Sequence, residues 1–133
     1  MLISIFLIIP LTTAIACVFI KKHNISKYIS VAGSFTLLLY NIYLSYNVYL
    51  NHSLKELNGF FYVDALSLLT AQIVTVVGFA AALYSIGYMD EELHEAEFPE
   101  KRLRWYYFLF HIFIFTMLAV CVANNLGIMW VAI

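Results

Sequence analysis

Four apolar runs, each long enough to cross a bilayer, decide what this chain can fold into. They extend from about Leu2 to Ile20, Tyr28 to Leu50, Asp64 to Met89 and Trp105 to Ala123, and a fifth begins near Leu126. A hydrocarbon core offers the backbone no water, so such runs fold as α-helices that satisfy their own N–H and C=O groups. Charged residues make up 11% of the sequence and cluster between the runs, while 64% is hydrophobic. The expected fold class is therefore all-α integral membrane, with four transmembrane helices plus the start of a fifth. Neither the net charge of −1 nor any basic stripe points to nucleic acid as a partner.

The loops orient the bundle. Lys21, Lys22 and Lys27 follow the first run and Lys101, Arg102 and Arg104 follow the third, whereas the second loop holds Lys55 alone. This bias predicts an amino terminus outside and cytoplasmic loops at 21–27 and 89–104. Phe60, Phe61 and Tyr62 would then belong to the outer aromatic belt, and Trp105, Tyr106 and Tyr107 to the inner one. Ala14-Ile15-Ala16 before Cys17 resembles a signal cleavage site, but no cation precedes the first run and two follow it, which is the arrangement of a retained helix.

Two loops have local design. Asn58-Gly59 between LKEL and FFYV signals a small hairpin with a type I′ turn, because both central residues of that turn need positive φ; an irregular turn is the alternative. The acidic segment DEELHEAEFPEK reads as a short solvated helix broken at Pro99, or as a docking surface for a cytoplasmic subunit.

Within the membrane, Ser30, Ser34, Asn41 and Ser45 share one helical face, and Asn41 sits near mid-bilayer. Ala71, Thr75, Gly78, Ala82 and Ser85 form a small-residue stripe on the third helix. Both faces are expected to look at protein, with helix packing through Asn41, Gly78 and Ala82 as the first reading and a hydrated path along Asn41 as the second. His111 lies roughly 9 Å in from Trp105 by helix rise. It is either a proton relay or an imidazole bonded to a neighbouring helix. Asp64, at the outer end of the third run, is suited to cap that helix; an ion-entry role is the alternative. Cys17 and Cys121 lie near opposite membrane faces, too far apart to pair. Neither belongs to a CxxC motif, so no cofactor or metal site is expected in this chain.

The stretches FYVDALSLLTAQIVTVVGFAAALYSIGYM (61–89) and YYFLFHIFIFTMLAVCVANNLGIMWVAI (106–133) resemble the opening part of the antiporter-like, proton-conducting membrane subunits shared by respiratory complex I and energy-converting hydrogenases, in particular the hydrogenase-4 component F type. Asp64-Ala65-Leu66-Ser67, the Tyr84-Ser85 and Gly87-Tyr88-Met89 pieces, and Asn124 to Ile133 carry the likeness, while residues 1–60 share only hydropathy with the family. The resemblance implies a bundle of about fourteen helices in the inner (plasma) membrane, in which buried carboxylates and lysines move protons or sodium ions. It also implies iron–sulfur clusters with nickel–iron or flavin centres in partner subunits, both membrane and peripheral. On this basis Asp64, His111, Asn124 and Asn125 are ion-pathway candidates. Residues 1–123 would supply helices one to four, and 124–133 the start of the translocating core. In the family a glutamate essential for proton transfer falls just after the position of Ile133, so the chain is expected to be an amino-terminal fragment without a redox or catalytic centre of its own. The alternatives are a subunit of a multisubunit sodium/proton antiporter and a small four-helix accessory or assembly protein.

Overall fold

The structure, a computed structural model, describes residues 1–20, 23–95 and 100–124. Four helices carry the fold: α1 (Leu2–Phe19), α2 (His23–Asn51), α3 (Ala65–Glu95) and α4 (Glu100–Val122). All four are long and apolar enough to span a membrane, over Leu2–Phe19, Ile25–Asn51, Ala65–Met89 and Arg102–Val122. Their outer surfaces keep large apolar side chains exposed, among them Ile8, Leu39, Val77 and Phe113, as lipid-facing helices do. The expected start of a fifth helix near Leu126 lies outside the described residues, as does the expected break at Pro99.

One expectation needs correction. The acidic residues from Asp90 to Glu95 do not begin a separate helix; they continue α3 past its apolar span, and Lys101, Arg102 and Arg104 belong to the first turns of α4. Nothing between Met89 and Glu95 breaks a helix, and Glu and Leu are good helix formers in water as well as in lipid.

The helices pack as a four-cornered bundle, with α1 and α3 each flanked by α2 and α4, and α2 and α4 touching across the diagonal. The α1–α2 contact is close at Gly33, which faces Thr13. Pro10 sits inside α1 and donates no backbone hydrogen bond. One turn on, the Thr13 hydroxyl bonds to the carbonyls of Ile9 (3.1 Å) and Pro10 (2.8 Å), keeping its polar group satisfied within the helix.

The hairpin is present, with β1 (Leu54–Glu56) antiparallel to β2 (Phe61–Val63) and Glu56 opposite Phe61. Asn58 (φ 55, ψ 29) and Gly59 (φ 89) occupy the two central positions, and the Phe60 amide bonds to the Leu57 carbonyl at 3.0 Å. This is the type I′ geometry that Asn-Gly favours. Leu57 also has positive φ (52), which a branched side chain tolerates poorly.

The hairpin ties three helix ends together at one face of the bundle. Glu56 accepts the amide protons of Ile3 (3.0 Å) and Ser4 (3.1 Å) and the Ser4 hydroxyl (2.9 Å), and it pairs with the Met1 ammonium. A side chain from the hairpin thus caps α1, whose own sequence supplies no acidic residue in the first turn. Val63, 1% exposed, packs into the core with Phe6, Leu44 and Leu118. At the end of α4, Ala123 bridges to Phe61 and the Asn124 amide bonds to the Phe60 carbonyl.

Candidate functional site

Polar side chains inside a membrane bundle are costly unless each finds a partner, so their pairing shows where the fold invests them. Here they gather where α2 meets α3 and α4. The 3.6-residue period turns Ser30, Ser34 and Asn41 to one face of α2, and all three are buried. Asn41 is fully buried, and its Nδ2 donates to Gln72 Oε1 (2.9 Å) and Thr75 Oγ1 (3.2 Å) on α3. Thr75 in turn donates to the Gln72 carbonyl at 3.1 Å. Three residues from two helices therefore form a mid-bundle polar cluster.

Three turns along α2 towards the opposite face, Ser30 Oγ lies 2.9 Å from His111 Nε2 on α4. His111 is also fully buried. The Ser34 hydroxyl bonds back to the Ser30 carbonyl at 2.9 Å. Between this pair and the Asn41 cluster stands Leu37 on the same face of α2, 2% exposed. The polar seam is thus two stations separated by an apolar side chain.

Beside the Asn41 cluster an open groove of about 620 Å³ runs between α2 and α3 towards the hairpin face, lined by Ser45, Tyr49, His52, Leu68 and Gln72 among others. Gln72 belongs to both the groove and the cluster. The small-residue stripe behaves as a packing surface: Ala82 is 1% exposed, and a side chain built at Gly78 would meet Ile114 of α4. Ser85 bonds within its own helix, to the Ala82 carbonyl at 2.8 Å.

The sequence candidates separate in space. His111 lies in the seam. Asp64 lies just before the α3 span and caps that helix, its Oδ1 accepting the Ser67 amide proton at 2.8 Å. That amide bond, then the Ser67 hydroxyl, holds the Asp64 carboxyl below the usual carboxylate range against the opposing effect of burial. Asn124 clamps the hairpin turn, donating from Nδ2 to the Gly59 carbonyl at 2.8 Å. Asn125 lies outside the described residues. Sequence reasoning missed Gln72, Glu56 and Gly33. For Gln72 a signal existed, an amide inside an apolar span one turn before Thr75; for the other two, the signal depends on knowing the neighbouring element. Among the described residues no group of three or more His, Cys, Asp or Glu side chains could hold a metal ion, and Cys17 and Cys121 are free thiols.

The comparisons with known proteins bear on the same elements. Residues 53–98, which cover the hairpin and α3, match the family described as NADH-ubiquinone oxidoreductase (complex I), chain 5 N-terminus. A hydrogenase-4 component F homolog of Methylacidiphilum infernorum (isolate V4) is 30% identical over 116 residues, which is 86% of this chain and 23% of that relative. The chain thus spans about a quarter of the relative's length. The chain is thus similar to a complex I membrane subunit over its hairpin and α3, and to a hydrogenase-4 component F homolog over most of its length.

Proposed function

We propose that this chain forms the amino-terminal helices of a membrane subunit in a hydrogenase- or NADH-quinone oxidoreductase-type complex, which couples electron transfer in its partners to proton translocation. The observation that carries the reading is the 30% identity to a hydrogenase-4 component F homolog across 86% of the chain. In this reading the iron–sulfur, nickel–iron or flavin centres belong to partner subunits, and the bundle braces and lines the ion-moving part. The cation bias between loops supports an orientation with the hairpin face outside and the α3–α4 connection in the cytoplasm, in the inner (plasma) membrane.

The test is biochemical. A tagged chain, purified in mild detergent from its native membranes, should bring down peripheral subunits that contain iron–sulfur clusters. Inverted vesicles should acidify when given hydrogen or NADH, and should lose that acidification when the gene is deleted. A chain that purifies alone, with donor-driven acidification intact in the deletion strain, refutes the proposal. Donor-driven sodium uptake that survives a protonophore would assign the ion as sodium.

A further inference from the structure

The Asn41 cluster is incomplete as a hydrogen-bonded unit. Asn41 Oδ1 is buried and has no protein partner among the described residues, although Nδ2 of the same amide makes two bonds. Exchanging the amide's nitrogen and oxygen does not remove the deficit. The oxygen would then face Gln72 and Thr75, and Nδ2 would become the group without a partner. In either assignment one polar atom at the centre of the bundle needs a small partner that a lipid tail or an apolar side chain cannot supply.

Gln72, which bonds to Asn41, also lines the neighbouring groove. The groove of about 620 Å³ has apolar walls of Val48, Leu68, Leu69 and Ile73, with Ser45 and Gln72 near the cluster and Tyr49 and His52 towards the hairpin face as its polar positions. Water needs a share of roughly 30 Å³ per molecule and two to four polar partners. The volume is ample, and the partners are the Asn41 and Gln72 amides with the hydroxyl oxygens of Thr75 and Ser45, which accept while donating to the Gln72 and Asn41 carbonyls. On the other side of the cluster Leu37 closes the seam, and Ser34 already spends its hydroxyl proton on the Ser30 carbonyl.

We propose that the α2–α3 interface is a water-binding vestibule that fills from the groove at the hairpin face, ends on Asn41, and is sealed from the Ser30–His111 pair by Leu37. The ligand is water, held by the free half of the Asn41 amide and handed on by Gln72. The inference stands on the geometry of these side chains and holds whatever complex the chain serves.

Water-to-protein magnetisation transfer by solid-state NMR, on the full chain labelled with nitrogen-15 in lipid bilayers, tests it. The Asn41 side-chain amide should receive water magnetisation as the exposed Asn51 amide does, while the Leu37 backbone amide should receive none. The Gln72 side-chain amide, which lines the groove, should keep its transfer in Asn41→Leu. In Leu37→Ser, transfer should extend to the His111 ring nitrogens. Because Asn41→Leu could disturb packing, its far-ultraviolet circular dichroism and the Asn51 signal serve as folding controls, and the wild-type comparison stands without it. An Asn41 amide as dry as Leu37, with Asn51 wet, overturns the proposal and leaves the groove to a lipid chain or another helix. Transfer reaching Leu37 and His111 in the wild type overturns the seal.

Discussion

Replacing Gly33 by alanine should be the most damaging single-methyl change in the bundle. A Cβ at position 33 would lie 2.9 Å from Thr13 Cβ, 3.4 Å from Thr13 Oγ1 and closer still to the Thr13 methyl. Carbon atoms sit comfortably at about 3.5–4.0 Å, so the Cβ–Cβ approach alone is short by roughly 0.6 Å. Rotating Thr13 does not help, because its Cβ stays in place and rotation would break the hydroxyl bonds to Ile9 and Pro10. The α1 and α2 backbones must therefore move apart, loosening contacts along both helices. Overpacking of this kind costs about 1–3 kcal/mol, and the backbone-level clash argues for the upper end. Reversible unfolding in mixed micelles of rising SDS content, followed by tryptophan fluorescence, would measure it. Thr13→Ala removes the methyl and hydroxyl but leaves the Cβ, so the Gly33→Ala/Thr13→Ala double variant should recover part of the loss, with a coupling energy of about 1 kcal/mol in the cycle. By contrast, Gly78→Ala meets only the end of the Ile114 side chain, with Cδ1 at 3.0 Å, and a rotamer change relieves it. A Gly33→Ala protein as stable as the parent, or losses at 33 and 13 that simply add, would refute the close-approach argument.

Three further outcomes follow from the hairpin face. Glu56 is held at about 2, below its ordinary 4.5: burial opposes the charge, but the Met1 ammonium, the Ser4 hydroxyl and the Ile3 and Ser4 amides outweigh it. A depressed carboxyl stabilises fully above 4.5 and loses that contribution as pH falls through about 2, so thermal midpoints should decline in acid for the parent and lose that component in Glu56→Gln; an unchanged acid profile in the variant would assign the decline elsewhere. Asp64→Ala should cost about 1 kcal/mol as a lost cap while Asp64→Asn, still able to cap, should cost little; if Asp64→Asn abolished ion movement with stability intact, Asp64 would be an ion-entry group. Leu57→Gly removes a side chain from a positive-φ position and should raise stability by about 1 kcal/mol in the same SDS titration, where a loss would show that the exposed leucine makes contacts of its own.

What the sequence made legible was whatever one segment decides for itself. Span length fixes the four helices because lipid leaves the backbone no alternative. Asn58-Gly59 announces its turn because few residues accept two consecutive positive φ values. The period of Ser30, Ser34 and Asn41 shows that they share a face, but it does not say which helix faces them. That is why the Ser30–His111 pair, the Gln72 bond and the Gly33 approach emerge only from the packed bundle. Glu56 is the sharpest case. It caps α1 from a strand more than fifty positions away, and nothing in α1 itself announces the partner.

The bonded polar groups divide by task. At the hairpin face, Glu56, Asp64 and Asn124 all bond to backbone groups at helix or turn ends, so their polarity is consumed in holding the fold. Inside the spans, Asn41, Gln72, Thr75, Ser30 and His111 bond helix to helix. Interhelical bonds of this kind average about 0.6 kcal/mol in membranes, too little to explain five polar side chains by stability alone when apolar packing would serve. Apart from Lys27 at the far end of α2, the buried polar side chains among the described residues include no carboxylate or ammonium. Apart from His111, the seam consists of amides and hydroxyls, which donate and accept hydrogen bonds without titrating. Among the seam residues described, His111 is the one whose side chain can change charge, and the amides and hydroxyls beside it can only orient hydrogen bonds.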